Sequence, residues 1–242
     1  MSTSPVSYRL ADSIAHITMD DGKANVMNER MQQAINAALD RAEADKAVVL
    51  LAGRGGFFSG GYDVAMFKRS REEVVRTVRA GGELATRLLS FPYPVVAACT
   101  GHAIAQGGFL LLGADVRIGA RGAFKFGLNE VVIGLTIPHY GVEIARLRLT
   151  PPGFNYSCVT GAVYGPESAE RFGFLDRLVA PEDVLRVAQE EALALTRVDM
   201  TAHAQTKARV RGTTLKLMRE GLVQDFGNAA DTAWLGGDRL AS

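Results

Sequence analysis

The segment 95–113 reads VVAACTGHAIAQGGFLLLG, and it contains the pattern that decides the fold class. Its apolar start, Val95–Cys99, is typical of a buried strand, and its end, residues 107–113, is typical of a buried helix. Between them, residues 101–108 form a turn rich in glycine and other small residues. The segment therefore predicts a strand, a turn and a helix in succession.

The same order occurs upstream in the chain. The apolar run Val48–Ala52 is followed by a glycine-rich loop over residues 54–61 and by an amphipathic helix predicted over residues 72–90. A further short strand is predicted at residues 116–118. Because strands that are apolar along their whole length are typical of sheets covered on both faces, this alternation predicts an α/β fold.

The two ends of the chain extend the pattern. A hairpin is predicted at residues 7–19, and Asn28 is in position to cap a helix over Glu29–Ala44. Downstream, the pattern predicts helices over residues 168–172, 184–196, 201–211 and 214–226, with an extended segment at 175–179. The last residues, 228–242, are small and polar and contain glycine, which is typical of a poorly ordered chain end.

The composition narrows the classes of function. The chain has 242 residues, of which 48% are hydrophobic and 22% charged, as in a globular protein with one large domain. Its net charge of +1 gives no basis for binding nucleic acid or an anionic membrane. The two cysteines do not support a disulfide framework, which favours a reducing compartment and a cytoplasmic location. No apolar run approaches the ~18 residues of a membrane-spanning helix.

Glu130 stands out in the segment 124–134, FKFGLNEVVIG, because it is the single carboxylate in a mostly apolar run from Leu128 to Gly141. Most glutamates are solvated on protein surfaces. In an apolar cleft, however, the charged form of a carboxylate is disfavoured and its pKa rises toward neutrality. Such a group can take a proton from carbon and return it, so Glu130 is the candidate general base.

Two turns are candidate sites for stabilising an oxyanion. Residues 60–63, GGYD, and residues 105–108, AQGG, each follow an apolar segment and precede a helical one. Glycine lets a ligand approach the backbone closely, and a helix start leaves N–H groups unpaired. Each turn alone could be a plain tight turn, but the pair fits a thioester oxygen that becomes an enolate. Neither turn has the Lys–Ser/Thr pair of a phosphate-binding loop.

These motifs, taken in order, resemble the crotonase (enoyl-CoA hydratase/isomerase) superfamily over roughly residues 5–220. The resemblance implies a spiral of ββα units with a C-terminal helical region. It divides the chain into a core with an acyl-CoA site, residues 1–182, and a helical oligomerisation region, residues 183–242. It also implies a homotrimer or a dimer of trimers. The C-terminal helices could instead form a lid on the core of their own subunit.

The resemblance also implies site residues. Segment 58–63 matches the first oxyanion-hole segment of the family and assigns the backbone N–H of Tyr62. Segment 101–115 matches the second and assigns the N–H of Gln106, or that of Gly107 if the register shifts by one. His139 could line the acyl pocket or be a second acid–base group. The residues expected to contact the substrate or its coenzyme A are Lys23, Ala24, Asn25, Gly60, Gly61, Asp63, Gly107, Phe109 and His139.

The resemblance finally implies a reaction. The hydratases of the family activate water between two glutamates; Glu130 matches the second, whereas Phe109 occupies the position of the first. Residues 127–130, GLNE, are similar to those of the mitochondrial-type 3,2-enoyl-CoA isomerases, which use one glutamate. The expected activity is therefore 3,2-trans-enoyl-CoA isomerase, with Glu130 transferring a proton through an oxyanion-hole-stabilised dienolate.

Two other functions are possible alternatives: an enoyl-CoA hydratase of fatty-acid β-oxidation and a catalytically weak acyl-CoA-binding protein. Neither a metal nor a cofactor is expected, since the coenzyme A thioester is the substrate.

Overall fold

The computed structural model describes residues 4–227, and the predicted poorly ordered segment 228–242 lies outside them. The chain begins with a hairpin, as its sequence predicts. Asp12 and Ser13 have φ values of 53° and 60°, and positive values at both positions are those of a two-residue hairpin turn of type I′. The strands are β1 (Val6–Ala11), β2 (Ile14–Met19), β3 (Val48–Ala52), β4 (Gly56–Ser59), β5 (Val95–Cys99), β6 (Gly101–Ile104), β7 (Val116–Ala120), β8 (Phe126–Gly127), β9 (Val163–Tyr164) and β10 (Arg177–Val179).

Helices connect and cover these strands. Short 3-10 turns occur at Val64–Lys68, Glu130–Ile133 and Pro181–Asp183. The α-helices are α1 (Glu29–Ala44), α2 (Arg71–Ser90), α3 (Gln106–Gly113), α4 (His139–Arg148), α5 (Pro151–Thr160), α6 (Pro166–Phe172), α7 (Val184–Leu195) and α8 (Met200–Phe226). Asn28 caps α1 as predicted, with its side chain accepting a hydrogen bond from the Met31 N–H. None of the helices in residues 4–227 has the length and hydropathy needed to cross a membrane.

The strands form two sheets. The larger has the order β1-β2-β3-β5-β7-β10, and the smaller has the order β4-β6-β8-β9. Successive units contribute one strand to each sheet before the next helix: β3, β4 and α2, then β5, β6 and α3. The strands β2, β3, β5, β7 and β10 pair in parallel. The predicted α/β class is confirmed, and the alternation forms the ββα spiral that the resemblance implies.

The larger sheet is buried on both faces, which explains why its strands are apolar throughout. In β3, Val49 and Leu51 pack in the main core, whereas Val48 and Leu50 face the opposite side. There α7 covers the sheet with buried apolar residues that include Val187. Each side chain along the strand therefore contributes buried apolar area, worth about 1.5–3 kcal/mol for a large aliphatic group.

Two predictions about local structure were wrong. The loops predicted at 54–61 and 101–108 contain the strands β4 and β6, which pair in parallel with each other. These strands are short, and their pairing depends on the fold rather than on local sequence. The two helices predicted at 201–211 and 214–226 are one helix, α8, because packing against α2 and α4 outweighs the helix-weakening effect of Gly212.

An almost buried ionic cluster holds α8 against the core. The carboxylate of Asp115 accepts hydrogen bonds from the Val95 N–H at 2.7 Å and Lys207 Nζ at 2.7 Å. Arg211 Nη2 lies 2.8 Å from its other oxygen. Burial lowers the pKa of Lys207 to about 8. The helix thus depends on one carboxylate that compensates two buried cations. An oligomerisation role for residues 183–242 stays a prediction.

We expect Asp115→Asn to lower the free energy of unfolding by about 3–5 kcal/mol, because the neutral amide leaves two buried cations without a counter-ion. Urea unfolding followed by circular dichroism measures the change. The matched control is Glu83→Gln, which removes an exposed i,i+4 pair with Arg79 and should cost less than about 1 kcal/mol. Equal effects of the two substitutions would contradict this account of α8.

Candidate active site

The two glycine-bearing turns meet in the structure. Gly61 has φ 84°, and a Cβ atom at this position would lie 2.8 Å from the Ile104 carbonyl oxygen and 3.5 Å from the Gln106 nitrogen. A Cβ on Gly107 would overlap the Ser59 carbonyl oxygen. The backbones are therefore too close for side chains at either position. Two turns that are far apart in the sequence therefore lie side by side, with the backbone of residue 61 next to that of residues 104–106.

The hydrogen bonds of the turns leave particular N–H groups free. Gly60 N–H donates to the Ala24 carbonyl at 2.8 Å, and Gly61 N–H donates to Ser59 Oγ at 3.1 Å. Among the hydrogen bonds of residues 4–227, the N–H groups of Tyr62 and Gln106 have no protein acceptor. Gln106 opens α3, where the first N–H groups lack intrahelical partners. Gly107, the alternative donor, lies in the same first turn of α3.

Ala105, at the cap of α3, carries unusual backbone geometry. Its φ of 50° and ψ of −122° fall in a region that non-glycine residues rarely adopt. Its N–H donates to the Gly127 carbonyl at 2.9 Å, which helps to hold this conformation. Residues in such conformations occur preferentially at functional sites. Here the conformation sets the direction of the next N–H, that of Gln106.

Glu130 begins the 3-10 turn after β8 and is 7% exposed. Its Oε2 atom is buried and has no hydrogen-bond partner in residues 4–227. Burial raises the pKa of Glu130 to about 7, and a hydrogen bond from its own N–H opposes this only in part. The carboxylate is thus poised to exchange a proton near neutral pH, as its apolar sequence neighbours predict.

A cavity connects these groups. Gly60, Ala105 and Glu130 line it, and most of the remaining wall is aromatic or aliphatic. The large side chains of this wall include Tyr62, Phe67, Val78, Phe109, Ile133 and Tyr140. Glu130 is the only acidic residue that lines the cavity within residues 4–227. A partly apolar cavity with one unpaired carboxylate is suited to proton transfer on a mostly apolar ligand.

Phe109 lies in the cavity wall on α3. It is 1% exposed, and its ring packs edge-to-face on that of Tyr140 with the centroids 5.6 Å apart. A Cβ on Gly141 would lie 2.6 Å from Phe109 Cζ, so the ring fills the available space. At this place in the cavity wall the chain therefore has an aromatic ring, which can neither donate nor accept a proton.

The predicted coenzyme A segment lies beside the first turn rather than in the cavity lining. Asn25 is fully buried, and its amide donates to the carbonyls of Met19 and Phe58 at 3.0 and 3.2 Å. The Ala24 carbonyl accepts the Gly60 N–H, as described above. Lys23 is exposed, and Arg54 donates to its carbonyl at 2.8 Å. Ala24 and Asn25 thus brace the turn that carries Tyr62.

Two other predicted contact residues have protein partners of their own. The His139 ring lies 2.6 Å from Asp225 Oδ1 on α8, and His139 is outside the cavity lining, whereas its neighbours Pro138 and Tyr140 line it. Asp63 caps the 3-10 turn at Val64–Lys68 by accepting the Ala65 N–H at 3.0 Å. The structure gives both residues a role in holding elements next to the cavity.

Sequence reasoning missed the part of the cavity wall that α2 contributes. Val78 lines the cavity, and Gly81 and Gly82 lie behind Tyr62 and Tyr140. Two consecutive glycines inside an amphipathic helix were the available signal, since glycine is a poor helix former. Asn129, whose buried Oδ1 has no partner in residues 4–227, was also missed.

Comparison with known proteins identifies the family. A family model described as enoyl-CoA hydratase/isomerase matches residues 9–233. The chain belongs to the enoyl-CoA hydratase/isomerase family. The resemblance to the crotonase superfamily is thereby confirmed.

Solved structures agree with this assignment. An enoyl-CoA hydratase/isomerase family protein from Pseudomonas syringae is 43% identical and has a TM-score of 0.90 over 93% of this chain and 97% of that one. A Mycobacterium tuberculosis protein, described as an enoyl-CoA isomerase in one solved structure and as a probable enoyl-CoA hydratase in another, is 44% identical. Its TM-score is 0.87 in both, over 90% of this chain and 96% or 93% of the other. The fold is therefore the crotonase fold with a C-terminal helical region.

A curated relative extends the range of reactions in the family. A carnitinyl-CoA dehydratase of Salmonella arizonae is 31% identical over 212 residues, or 86% of this chain and 80% of the relative. Isomerases and dehydratases are thus both similar to this chain, so family membership alone does not fix the reaction.

The raised pKa of Glu130 predicts a pH-dependent cost in stability. Below the ordinary carboxyl pKa of about 4.5, the group is neutral in both the folded and the unfolded protein. Between about pH 4.5 and pH 7 the carboxyl group ionises in the unfolded protein but stays neutral in the folded one, so the unfolded state is increasingly favoured; above pH 7 the cost is constant at about 3 kcal/mol, at 1.36 kcal/mol per pKa unit. Glu130→Gln should therefore stabilise the protein relative to wild type at pH 9 more than at pH 5, as measured by urea unfolding. Glu83→Gln is the control, and a difference between wild type and Glu130→Gln that does not change with pH would contradict a buried, unpaired carboxylate.

Proposed function

We propose that this protein is a 3,2-trans-enoyl-CoA isomerase that works by proton transfer through the single carboxylate of Glu130. The observation that carries the proposal is the buried Oε2 of Glu130, which has no hydrogen-bond partner in residues 4–227. Among these residues Glu130 is the only acid in a cavity that Tyr62 and Ala105 also line. An unpaired carboxylate in an apolar cavity is costly, and such a cost is commonly retained where the group reacts.

The free N–H groups of Tyr62 and Gln106 support a thioester oxygen as the group they bind. When a base removes a proton beside the thioester carbonyl, negative charge develops on that oxygen. Two preorganised donors stabilise the charge, each by about 3 kcal/mol in a water-poor site. The Gln106 N–H also lies at the start of α3, where the helix dipole favours negative charge.

The proton balance of the isomerisation needs one base. Glu130 removes a proton from C2 of a 3-enoyl-CoA, and the electron pair forms a dienolate across C1 to C4. The same carboxyl returns the proton to C4, which leaves the double bond between C2 and C3. A pKa of about 7 suits both steps at neutral pH, because the carboxylate is available as a base and its acid form is a competent donor.

The neighbouring side chains favour Glu130 as the group that exchanges the proton. Burial raises the pKa of both Tyr62 and Tyr140 above the ordinary value for tyrosine, so both phenols stay protonated. Phe109 supplies no acid or base. The hydratases of the family are expected to activate water with a pair of carboxylates, and residues 4–227 contribute no second carboxylate to this cavity lining.

Enoyl-CoA hydratase is the second candidate, and Asn129 favours it. Its Oδ1 and the Oε2 of Glu130 are both buried acceptors without partners in residues 4–227. A water molecule donating to both would stand where a hydratase needs its nucleophile. A catalytically weak acyl-CoA-binding protein is the third possibility. In each case coenzyme A enters as part of the substrate, with Lys23 as a candidate contact for its phosphates.

The first experiment incubates the purified protein with 3-hexenoyl-CoA and, separately, with crotonyl-CoA, and follows mass and ultraviolet absorbance. We expect a new 2-enoyl thioester from 3-hexenoyl-CoA with no change in mass. A mass gain of one water from crotonyl-CoA without isomerisation would establish the hydratase instead. Binding of acyl-CoA without turnover of either compound would establish the third candidate.

Glu130→Gln tests the assignment of the base. We expect kcat to fall about 10³-fold, since general bases contribute 10²–10⁴-fold, while acyl-CoA binding is retained. In the wild type, kcat/KM should rise with pH and level off above about 7 as Glu130 ionises. Glu83→Gln, on the exposed face of α2, is the matched control and should keep full activity. An active Glu130→Gln variant would rule out the one-glutamate mechanism.

A further inference from the structure

Helix α2 contains a recess next to the cavity. Gly81 and Gly82 lie in the middle of this helix, where glycine is among the least favourable residues. A Cβ on Gly81 would overlap the Tyr62 hydroxyl oxygen and lie 3.0 Å from Gln106 Cδ. A Cβ on Gly82 would lie 2.7 Å from two ring carbons of Tyr140. The two glycines therefore make room for the side chains of Tyr62, Gln106 and Tyr140, which come from three different parts of the fold, as well as for Leu222 of α8.

Hydrogen bonds fix these three side chains. Gln106 Nε2 donates to the Gly81 carbonyl at 2.7 Å, and the Tyr140 hydroxyl donates to Gln106 Oε1 at 2.8 Å. The Tyr62 hydroxyl donates to the Val78 carbonyl at 3.3 Å. Gln106 and Tyr140 are fully buried. Because moving any of these groups would leave a buried polar atom unpaired, the arrangement resists rearrangement.

Two of these side chains border the cavity. The rings of Tyr62 and Tyr140 line it together with Val78 of α2. Tyr62 reaches from the turn that carries the first N–H donor to the backbone of α2, so its ring occupies the space between them. Tyr140 is further supported by Phe109. We call Tyr62, Gln106 and Tyr140 the tyrosine wall.

We propose that the tyrosine wall closes the acyl end of the cavity, so that the site accepts short acyl thioesters and Tyr62 determines this limit. The inference rests on the proposed function in one respect, namely that the cavity holds the acyl chain of an acyl-CoA. It adds a substrate class, short-chain acyl-CoA, and a specificity-determining residue.

The limit has a measurable thermodynamic signature. Each pair of methylene groups that enters an apolar cavity should raise affinity about tenfold. Methylene groups that meet the wall gain nothing, because a fixed and fully bonded side chain does not move aside. Affinity should therefore rise with chain length and then stop rising at a short chain.

The experiment measures binding of saturated acyl-CoAs from butanoyl to dodecanoyl by titration calorimetry. We expect the wild type to gain nothing between hexanoyl-CoA and dodecanoyl-CoA, and Tyr62→Ala to gain at least about tenfold over that interval. Tyr62→Phe is the matched control: it keeps the ring and should keep the wild-type limit. A wild-type affinity that climbs steadily to dodecanoyl-CoA would overturn the proposal, and so would a Tyr62→Ala profile identical to that of the wild type.

Binding separates this proposal from the proposed function. Saturated acyl-CoAs cannot be isomerised, so a short-chain limit in a protein that leaves 3-hexenoyl-CoA unchanged would support the wall and reject the isomerase. Isomerase activity together with an affinity that keeps rising with chain length would support the isomerase and reject the wall. Failure to bind any acyl-CoA would overturn both.

Glycine variants test the recess independently of any ligand. Gly81→Ala should lower the melting temperature, because the new methyl group overlaps the Tyr62 hydroxyl; adding Tyr62→Phe, which removes that oxygen, should restore part of the loss. The matched control is Gly212→Ala in α8, where a Cβ meets no atom within 4 Å, and this change should raise the melting temperature. If Gly81→Ala behaves like Gly212→Ala, the recess does not hold Tyr62 and the proposal fails.

Discussion

The close approach of two backbone turns is the constraint on which the candidate site depends. Gly61 must adopt positive φ, and Gly107 must lack a side chain, for residues 60–62 and 105–107 to touch. The contact follows from the spiral, because each turn comes after a strand of the smaller sheet and β4 pairs directly with β6. Tyr62 and Ala105, which are separated by more than forty residues in sequence, thereby line the same cavity as Glu130.

The site is maintained at a cost in stability. Glu130 is buried without a partner, Ala105 has an unfavourable backbone conformation and α2 carries two glycines in its middle. Each of these features destabilises the folded protein, and all three lie at the cavity or directly behind it. The stabilisation comes from elsewhere: strands that are apolar on both faces, and α8 joined to the core through Asp115. This distribution is common where function requires locally unfavourable groups.

The side chains of Gln106 and Tyr62 are accommodated by one arrangement. Gln106 uses its side chain to join α2 and α4 through Gly81 and Tyr140. Tyr62 fits because Gly81 leaves space for its hydroxyl. Both side chains depend on the space that the missing side chain of Gly81 leaves on α2. Through Tyr62 and Tyr140 this arrangement shapes one wall of the cavity.

The sequence by itself determined the class of fold, the boundaries of most strands and helices, and the candidate base. Val48–Ala52 and Val95–Cys99 were identifiable because a strand buried on both faces must be apolar throughout, and Glu130 because a lone carboxylate in an apolar run is conspicuous. Only the tertiary structure decided that β4 and β6 are strands, that α8 is continuous across Gly212, and that His139 turns toward Asp225 instead of the cavity. These outcomes depend on contacts between residues far apart in the chain. Local sequence patterns report burial and backbone preference. Strand pairing, helix packing and side-chain direction depend instead on which elements, distant in sequence, lie next to a segment in the fold.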